Sequence, residues 1–459
     1  MNKIKIPFII GGETINREEN TEKIDFHKKS VEISTPVLTP EDLEKIKKTQ
    51  EYKKSLHDLN SEEIISFLTK AKEKWKKGSN LREEAGKKIT QATGYSPEMV
   101  DFALQQIEDI LSRDYLELLL KSELGNKEMM DSWVEKGEAY VHCQPAGTVL
   151  HILSGNAPLI GIISLLRGLL TKNINILKMS SGDLVTLSHF IQIFQEIDPD
   201  HPITKSISAV YWKSSGLETL NQFVEISDLL CVWGGGEAVE TIKNNSQGKE
   251  VLEFGPRRGV QLIGKEVFQN KNPEYLKGVA RKGAHDLVVF DQEACFSPQV
   301  CFIEGNWEEA KKYASELKKG LEEENSRLPK GEKNLQSVAA VEHLKAYSTF
   351  LGNEILDSPQ KDHMIVITEK VKHTKSHPLG RTLFIIPVED FSEAIKEIGE
   401  ETQVVAIEPF SRAYELREEL TLNGVDRITH LGKMPYFAAG APHEGIYPLS
   451  RMVRWVKSR

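Results

Sequence analysis

From residue 141 onward, short, mostly apolar runs alternate with stretches whose apolar residues recur every three and four positions. The runs are Thr148–Leu153, Asn173–Met179, Ile207–Trp212 and Leu229–Gly234. Each is followed by an amphipathic segment, at 159–172, 184–197, 217–227 and 237–245. Mostly apolar strands alternating with amphipathic helices in a βαβαβα pattern predict parallel strands with helices covering both sides of one sheet. Ligands in such a sheet sit at the carboxyl ends of its strands.

A second α/β region is predicted from about 254. Its strands are expected at 259–264, 299–304, 363–368, 381–388 and 402–408, with a surface helix over 307–325 and an exposed loop over 326–334. The region before 141 has a different texture. Residues 6–15 read as a hairpin turning at Gly11-Gly12, within a small β-element covering residues 1 to about 35. Helices are predicted between 38 and about 130, with Thr39, Ser61 and Ser96 as caps and Pro40 at a first helical position. The expected organisation is therefore a β-element and helices over 1–140 and a cofactor-type α/β domain over 141–253. A catalytic-type α/β domain over 254–430 and a tail over 431–459, with a role in oligomerisation, complete it.

Composition narrows the function. The chain has 459 residues, enough for two or three domains, and a net charge of −9, which argues against a nucleic-acid partner. The longest apolar stretch, Pro158–Leu170, is too short to span a bilayer and is interrupted by Arg167. No signal peptide is expected, because charges follow the Ile6–Ile10 run closely. Four cysteines without Cys-x-x-Cys spacing make neither a disulfide framework nor a zinc site, so reduced thiols in a cytoplasmic protein are expected. The histidines at 343, 363, 373 and 377 fit no helical ligand spacing, and no metal is expected.

Four stretches carry candidate chemistry. In Ser154-Gly155-Asn156, a strand end turns toward a helix; the Asn156 amide is either a donor to a developing oxyanion or a helix cap. In Lys178-Met179-Ser180, a cation and a hydroxyl at a strand end suit a ribose or phosphate, or are a snorkelling lysine and a cap. Gly234, Gly235 and Gly236 lie between a strand and a helix, where backbone N–H groups can approach a pyrophosphate; a plain glycine turn is the other reading. Glu253 and Cys295 form the fourth group. Cys295 is followed by Ser297-Pro298, which argues against the middle of an element, whereas Cys143, Cys231 and Cys301 sit in apolar runs as core residues.

The order of these stretches is the informative part. Pro-Ala-Gly-Thr-Val…Ser-Gly-Asn-Ala-Pro, the strand ending in Lys178, the glycine turn, Glu253-Phe-Gly-Pro-Arg and Ala-Cys295-Phe-Ser-Pro-Gln together resemble the aldehyde dehydrogenase superfamily. Within it, the sequence is most similar to the acyl-CoA reductase family, which includes the fatty-acid reductase of bacterial luminescence. The resemblance extends over roughly 140–459. It implies an aldehyde-dehydrogenase-like α/β fold, with a Rossmann-type cofactor domain beside a catalytic domain.

The resemblance also implies roles. Cys295 would be the acyl-accepting nucleophile, Asn156 and the Cys295 backbone N–H the oxyanion donors, and Glu253 would occupy the place of the general base. Lys178 and Ser180 would face the adenosine ribose or its phosphate, and Gly234 to Gly236 the pyrophosphate. Two departures stand out: Glu253-Phe-Gly-Pro256-Arg257 replaces Glu-Leu-Gly-Gly-Lys, and Trp233-Gly-Gly-Gly replaces Phe-x-Gly-Ser. The implied reaction is reduction of a long-chain acyl-CoA or acyl-protein thioester to the aldehyde, with NADPH or NADH as hydride donor. The implied partners are an acyl-protein synthetase or acyl carrier, and further copies of the chain in a homo-oligomer. The alternatives are a hydrolytic aldehyde dehydrogenase that needs Glu253 as base, and a partner subunit without activity.

Overall fold

The structure is a computed structural model that describes residues 2–24, 31–332, 335–369 and 377–459. His373 and the last two residues of the loop expected over 326–334 lie outside this range. The chain forms two compact units: residues 1–255 with 438–459, and residues 256–437.

The first unit is built on a seven-stranded sheet. Its strands are β1 (Phe8–Ile10), β2 (Glu13–Ile15), β3 (Thr148–Ile152), β4 (Ile174–Lys178), β5 (Ile207–Val210), β6 (Leu229–Trp233) and β7 (Glu250–Phe254). Their order is β7-β6-β3-β4-β5-β1-β2. The strands from β7 to β5 are parallel, and the hairpin adds two antiparallel edge strands through Ala209 opposite Ile9. Every residue of β3, β4, β5 and β6 is buried. The order reverses between β3 and β6, which marks a topological switch point at the carboxyl ends of these two strands. The crossovers are α1 (Leu159–Leu170), α2 (Val185–Ile197), α3 (Leu217–Glu225) and α4 (Gly236–Asn244).

Five helices of at least nine residues lie between β2 and β3, from Pro40 to Leu124. Thr39 and Ser96 cap as expected, each accepting a backbone N–H two or three residues into its helix. The helix at Ser61–Trp75 starts one residue earlier than predicted: Asn60 is the cap, and Glu63 returns the bond in a capping box. Asparagine and serine compete closely for this position, and the reciprocal glutamate fixes the choice. The segment Val453–Ser458 pairs antiparallel with Ala139–Pro145 in a separate three-stranded sheet.

The second unit has its own seven-stranded sheet. Its strands are β8 (Arg258–Ile263), β9 (Pro298–Glu304), β10 (Glu354–Asp357), β11 (Met364–Ile367), β12 (Thr382–Val388), β13 (Thr402–Glu408) and β14 (Arg427–His430). They are ordered β10-β11-β12-β9-β8-β13-β14, and only the β10 edge is antiparallel. Helix α5 (Pro273–Val288) and the helix Trp307–Arg327 belong to this unit. Val260, Leu262, Phe302, Val366, Phe384 and Ile407 form the centre of its core.

A buried polar relay holds α1 on the first sheet. His151 on β3 bonds Ser164 of α1 at 2.7 Å and Asn175 of β4 at 3.1 Å, and Trp233 Nε1 donates to the same Ser164 at 3.0 Å. Burial pulls the His151 imidazole down to about 4, so it is neutral and needs no counter-ion. Gly168 of α1 packs directly over this relay: a Cβ there would collide with Asn175 Oδ1. In an exposed helix, Gly→Ala stabilises by about 1 kcal/mol. Here the sign is expected to reverse: Gly168→Ala should cost about 1–3 kcal/mol in urea unfolding, the range for an overpacked core.

Candidate active site

In the first unit, the switch point collects most of the predicted residues. β3 ends at Ile152, and Asn156 lies in the turn before α1. It does not cap α1, whose cap position is Pro158 with no side-chain cap bond. Its side-chain oxygen accepts from Ser154 Oγ at 2.9 Å, and its backbone carbonyl accepts from Tyr95 Oη at 2.9 Å. The bond to Ser154 orients the amide, leaving its NH₂ end as the donor end. Gly155 and Gly182 pack backbone against backbone, so the β3 and β4 turns touch where a side chain would not fit.

Lys178 is the last residue of β4, buried with its ammonium 3.4 Å from Ser214 Oγ and 5.9 Å from the ring centres of Tyr211 and Trp212. Burial pulls it down to about 8. Among the described residues, no carboxylate lies within ion-pair distance of it, unlike Lys88, Lys172 and Lys243, which pair with Glu84, Asp131 and Glu253. Ser180 Oγ accepts from Gly182 N at 3.2 Å and so shapes the turn that follows.

The glycine turn follows β6. Gly234 N donates to Phe254 O at 3.1 Å, Gly235 occupies the cap position of α4 without a side-chain cap, and Gly236 opens the helix. Neither Gly235 nor Gly236 has positive φ, and a Cβ on either would meet no protein atom within 4 Å. These glycines are therefore not demanded by the protein's own packing. They leave the start of the nine-residue helix α4 without a side-chain cap.

Glu253 lies in β7, a strand the periodicity did not announce. Alternation buries Leu252 and Phe254 and turns Glu253 outward, with its side chain 48% exposed and held by Lys243 Nζ at 2.9 and 3.2 Å. Behind the turn, Arg167 is buried against Trp233 and Phe254, its guanidinium 5.8 and 5.9 Å from the ring centres. The charge that interrupts the apolar helix is thus a cation under the aromatic pair, which stacks at 4.0 Å.

In the second unit, Cys143's and Cys231's counterpart in the sheet, Cys301, is buried in β9, whereas Cys295 is partly exposed in the segment before that strand. Burial raises the Cys143 and Cys231 thiols to about 11 and drives Cys301 higher still, which makes all three inert. Cys295 alone of the four is accessible.

The chain reaches Cys295 through three consecutive left-handed residues, Phe290 (φ 52°), Asp291 (φ 52°) and Gln292 (φ 70°). The Gln292 side chain donates to Pro298 O and Thr382 O and accepts from Thr382 N at 2.8 Å, tying the turn to β9 and β12. Asp291 is gripped by buried Arg381 at 2.6 and 3.0 Å, and Arg381 also donates to Leu328 O and Asn325. Sequence reasoning missed both residues. Left-handed φ in a Phe-Asp-Gln run leaves no trace in periodicity, and the Asp-Gln pair was its only signal.

Comparison with known proteins places the chain. Residues 56–455 match the profile of the family described as acyl-CoA reductase (LuxC). A long-chain acyl-protein thioester reductase from Vibrio harveyi is 31% identical over 98% of this chain and 92% of its own length. One from Aliivibrio fischeri is 32% identical over 87% of this chain and 82% of its own. The similarity therefore reaches well into the helical region that precedes residue 140. Among solved structures, aldehyde dehydrogenase 21 from Physcomitrella patens superposes with a TM-score of 0.78 at 14% identity over 100% of this chain and 99% of its own. Lactaldehyde dehydrogenase from Escherichia coli gives 0.74 at 15%, over 100% and 99%. These set the fold as that of the aldehyde dehydrogenases. The chain belongs to the acyl-CoA reductase (LuxC) family of oxidoreductases.

Proposed function

We propose that this enzyme reduces a long-chain acyl thioester, carried by a protein or by CoA, to the aldehyde through an acyl group on Cys295. The observation that carries the reading is that Cys295, alone of four cysteines, is accessible, and is held by a turn the fold keeps in an unfavourable backbone conformation. The relatives named as acyl-protein thioester reductases supply the substrate class.

The Cys295 thiolate attacks the thioester carbonyl, and the carbonyl electrons move onto its oxygen. The resemblance assigns that oxyanion to the Asn156 amide and the Cys295 backbone N–H; one such donor is worth about 3 kcal/mol in the transition state. Collapse expels the carrier thiolate, which takes a proton from solvent. A nicotinamide cofactor, when bound, supplies the hydride that converts the acyl group to a thiohemiacetal alkoxide. Cys295 then leaves as thiolate and the aldehyde is released. No water is activated in this direction. Glu253, facing outward to Lys243, has no proton to remove, which fits the loss of the usual Gly-Lys after it.

The cofactor's adenosine end fits Lys178, Ser180 and Ser214, and its pyrophosphate fits Gly234, Gly235 and Gly236 at the start of α4. A dinucleotide site that prefers NAD commonly bonds the ribose hydroxyls through a carboxylate. The strand end at Lys178 offers an unpaired cation with hydroxyls, which suits the additional phosphate of NADPH.

Two outcomes test this reading. Intact mass after mixing with tetradecanoyl-CoA is expected to show one acyl adduct that maps to Cys295, is absent in Cys295→Ala, and disappears as aldehyde forms on adding NADPH. A wild-type protein that stays unacylated by both CoA and protein donors overturns it. Separately, Lys178 loses its proton on passing about pH 8, so NADPH affinity should fall above that pH, by up to about tenfold per unit. Lys178→Met should bind more weakly and flatten that slope, read by fluorescence titration.

A further inference from the structure

The reaction needs Cys295 as a thiolate, and an ordinary thiol, with a value near 8.5, is only a few per cent ionised at neutral pH. Cys295 does not itself open a helix: the residues before it are the left-handed turn, and β9 follows. A nearby cation is another way to lower its pKa. Most cations of the second unit are already engaged. Arg258 pairs with Glu401, Lys282 with Glu408, Arg327 with Glu324, Arg381 with Asp291, and Arg412 with Glu304.

Arg427, the first residue of β14, differs. Among the described residues, no carboxylate lies within ion-pair distance of it. Its Nη1 donates to Tyr436 O at 2.9 Å and its Nη2 to Met434 O, both neutral, and its Nε is sealed from solvent with no hydrogen-bond partner. The guanidinium lies 4.6 Å from the centre of the Phe437 ring. That ring packs edge-on at 5.9 Å against Phe296, the residue after Cys295. Met434 completes the wall: its methyl group closes on Gly259 of β8, as does the Phe296 carbonyl. The loop that carries Phe437 is pinned from the other side by Asp286 of α5, which accepts from Gly432 N at 2.7 Å and Met434 N at 3.0 Å.

We propose that Arg427 is the cation that keeps the Cys295 thiol ionised, a role that rests on Cys295 being the acyl-accepting nucleophile. The two groups act on each other electrostatically. Burial pulls the Arg427 guanidinium down to about 10, and Cys295, followed by Asp286, pulls it back up. The coupling is reciprocal: a thiolate that holds the proton on Arg427 is itself favoured by that charge, and the thiol proton goes to solvent. With its Nε unpaired and both other donor groups on backbone carbonyls, the arginine keeps a full charge in a partly desolvated place, where it acts strongly. Asp286, which burial pushes up to about 7, faces the same guanidinium from α5 and competes for it. The Tyr436 phenol turns away to His285 at 3.0 Å.

The test is the pH profile of iodoacetamide alkylation at Cys295, read by peptide mass in the full-length protein. Wild type is expected to show a midpoint about one unit or more below the ordinary thiol value of about 8.5. Folded Arg427→Met should shift it up by about one unit, with alkylation at pH 7 slowed about tenfold, and Arg427→Lys should fall between. A wild-type midpoint at or above the ordinary value overturns the proposal without any variant. So does an Arg427→Met protein with wild-type thermal midpoint and an unshifted profile. Acylation is scored separately. An acyl adduct on Cys295 with no Arg427 dependence sinks this proposal alone, whereas a shifted profile without any acyl adduct sinks the thioester reading.

Discussion

The exposure of Cys295 depends on how the chain turns into β9. Three successive residues without the freedom of glycine adopt left-handed φ, at a cost of about 1–2 kcal/mol each. Nothing local repays this. The compensation comes from side chains that reach across the sheet. Gln292 makes three bonds to β9 and β12, about 1 kcal/mol each, and the Asp291–Arg381 pair adds charge-assisted bonds worth about twice that. Costs and gains nearly cancel, so the turn exists only while both strands are in place. Its benefit is geometric: Cys295 is presented outside the sheet instead of inside it, where Cys301, six residues on, is inert.

The first unit follows a different logic. Its sheet is buried on both faces, so chemistry can only emerge at strand ends. The residues there are tuned by desolvation more than by partner charges. Lys178 keeps aromatic and hydroxyl neighbours instead of a carboxylate, and Arg167 stabilises the aromatic pair beneath the glycine turn from below. Both cations contribute field to this end of the sheet, and among the described residues neither has a carboxylate within ion-pair distance.

Much of this was legible in the sequence because it rests on periodicity. The four strands β3 to β6, the hairpin at Gly11-Gly12, and the burial of Cys143, Cys231 and Cys301 follow from apolar runs and turn residues. The position of Asn156, Lys178 and the three glycines at strand ends follows from the same pattern. What periodicity cannot carry was missed. β7 is a strand of Glu-Val-Leu-Glu-Phe whose exposed glutamates disguise it, so the outward direction of Glu253 was not visible. Gln292, Asp291, Arg381 and Arg427 act through contacts between residues up to some ninety positions apart. The cap at Asn60 was misassigned to Ser61 because both are good caps, and the deciding bond belongs to Glu63.

The closing strand, Val453–Ser458, pairs with Ala139–Pro145, and residues 438–459 belong to the first unit although the whole second unit lies between. On a ribosome, which makes the chain from its N-terminus, this reverses the order of completion. The second unit has all of its sequence before the first does, and it can close its own sheet while the first still lacks an edge strand. The nascent first unit must hold the Ala139–Pro145 strand with one edge unpaired throughout the synthesis of roughly 300 intervening residues. The pairing of Val453–Ser458 with Ala139–Pro145 joins residues some 300 positions apart, a contact of the long-range kind that forms slowly.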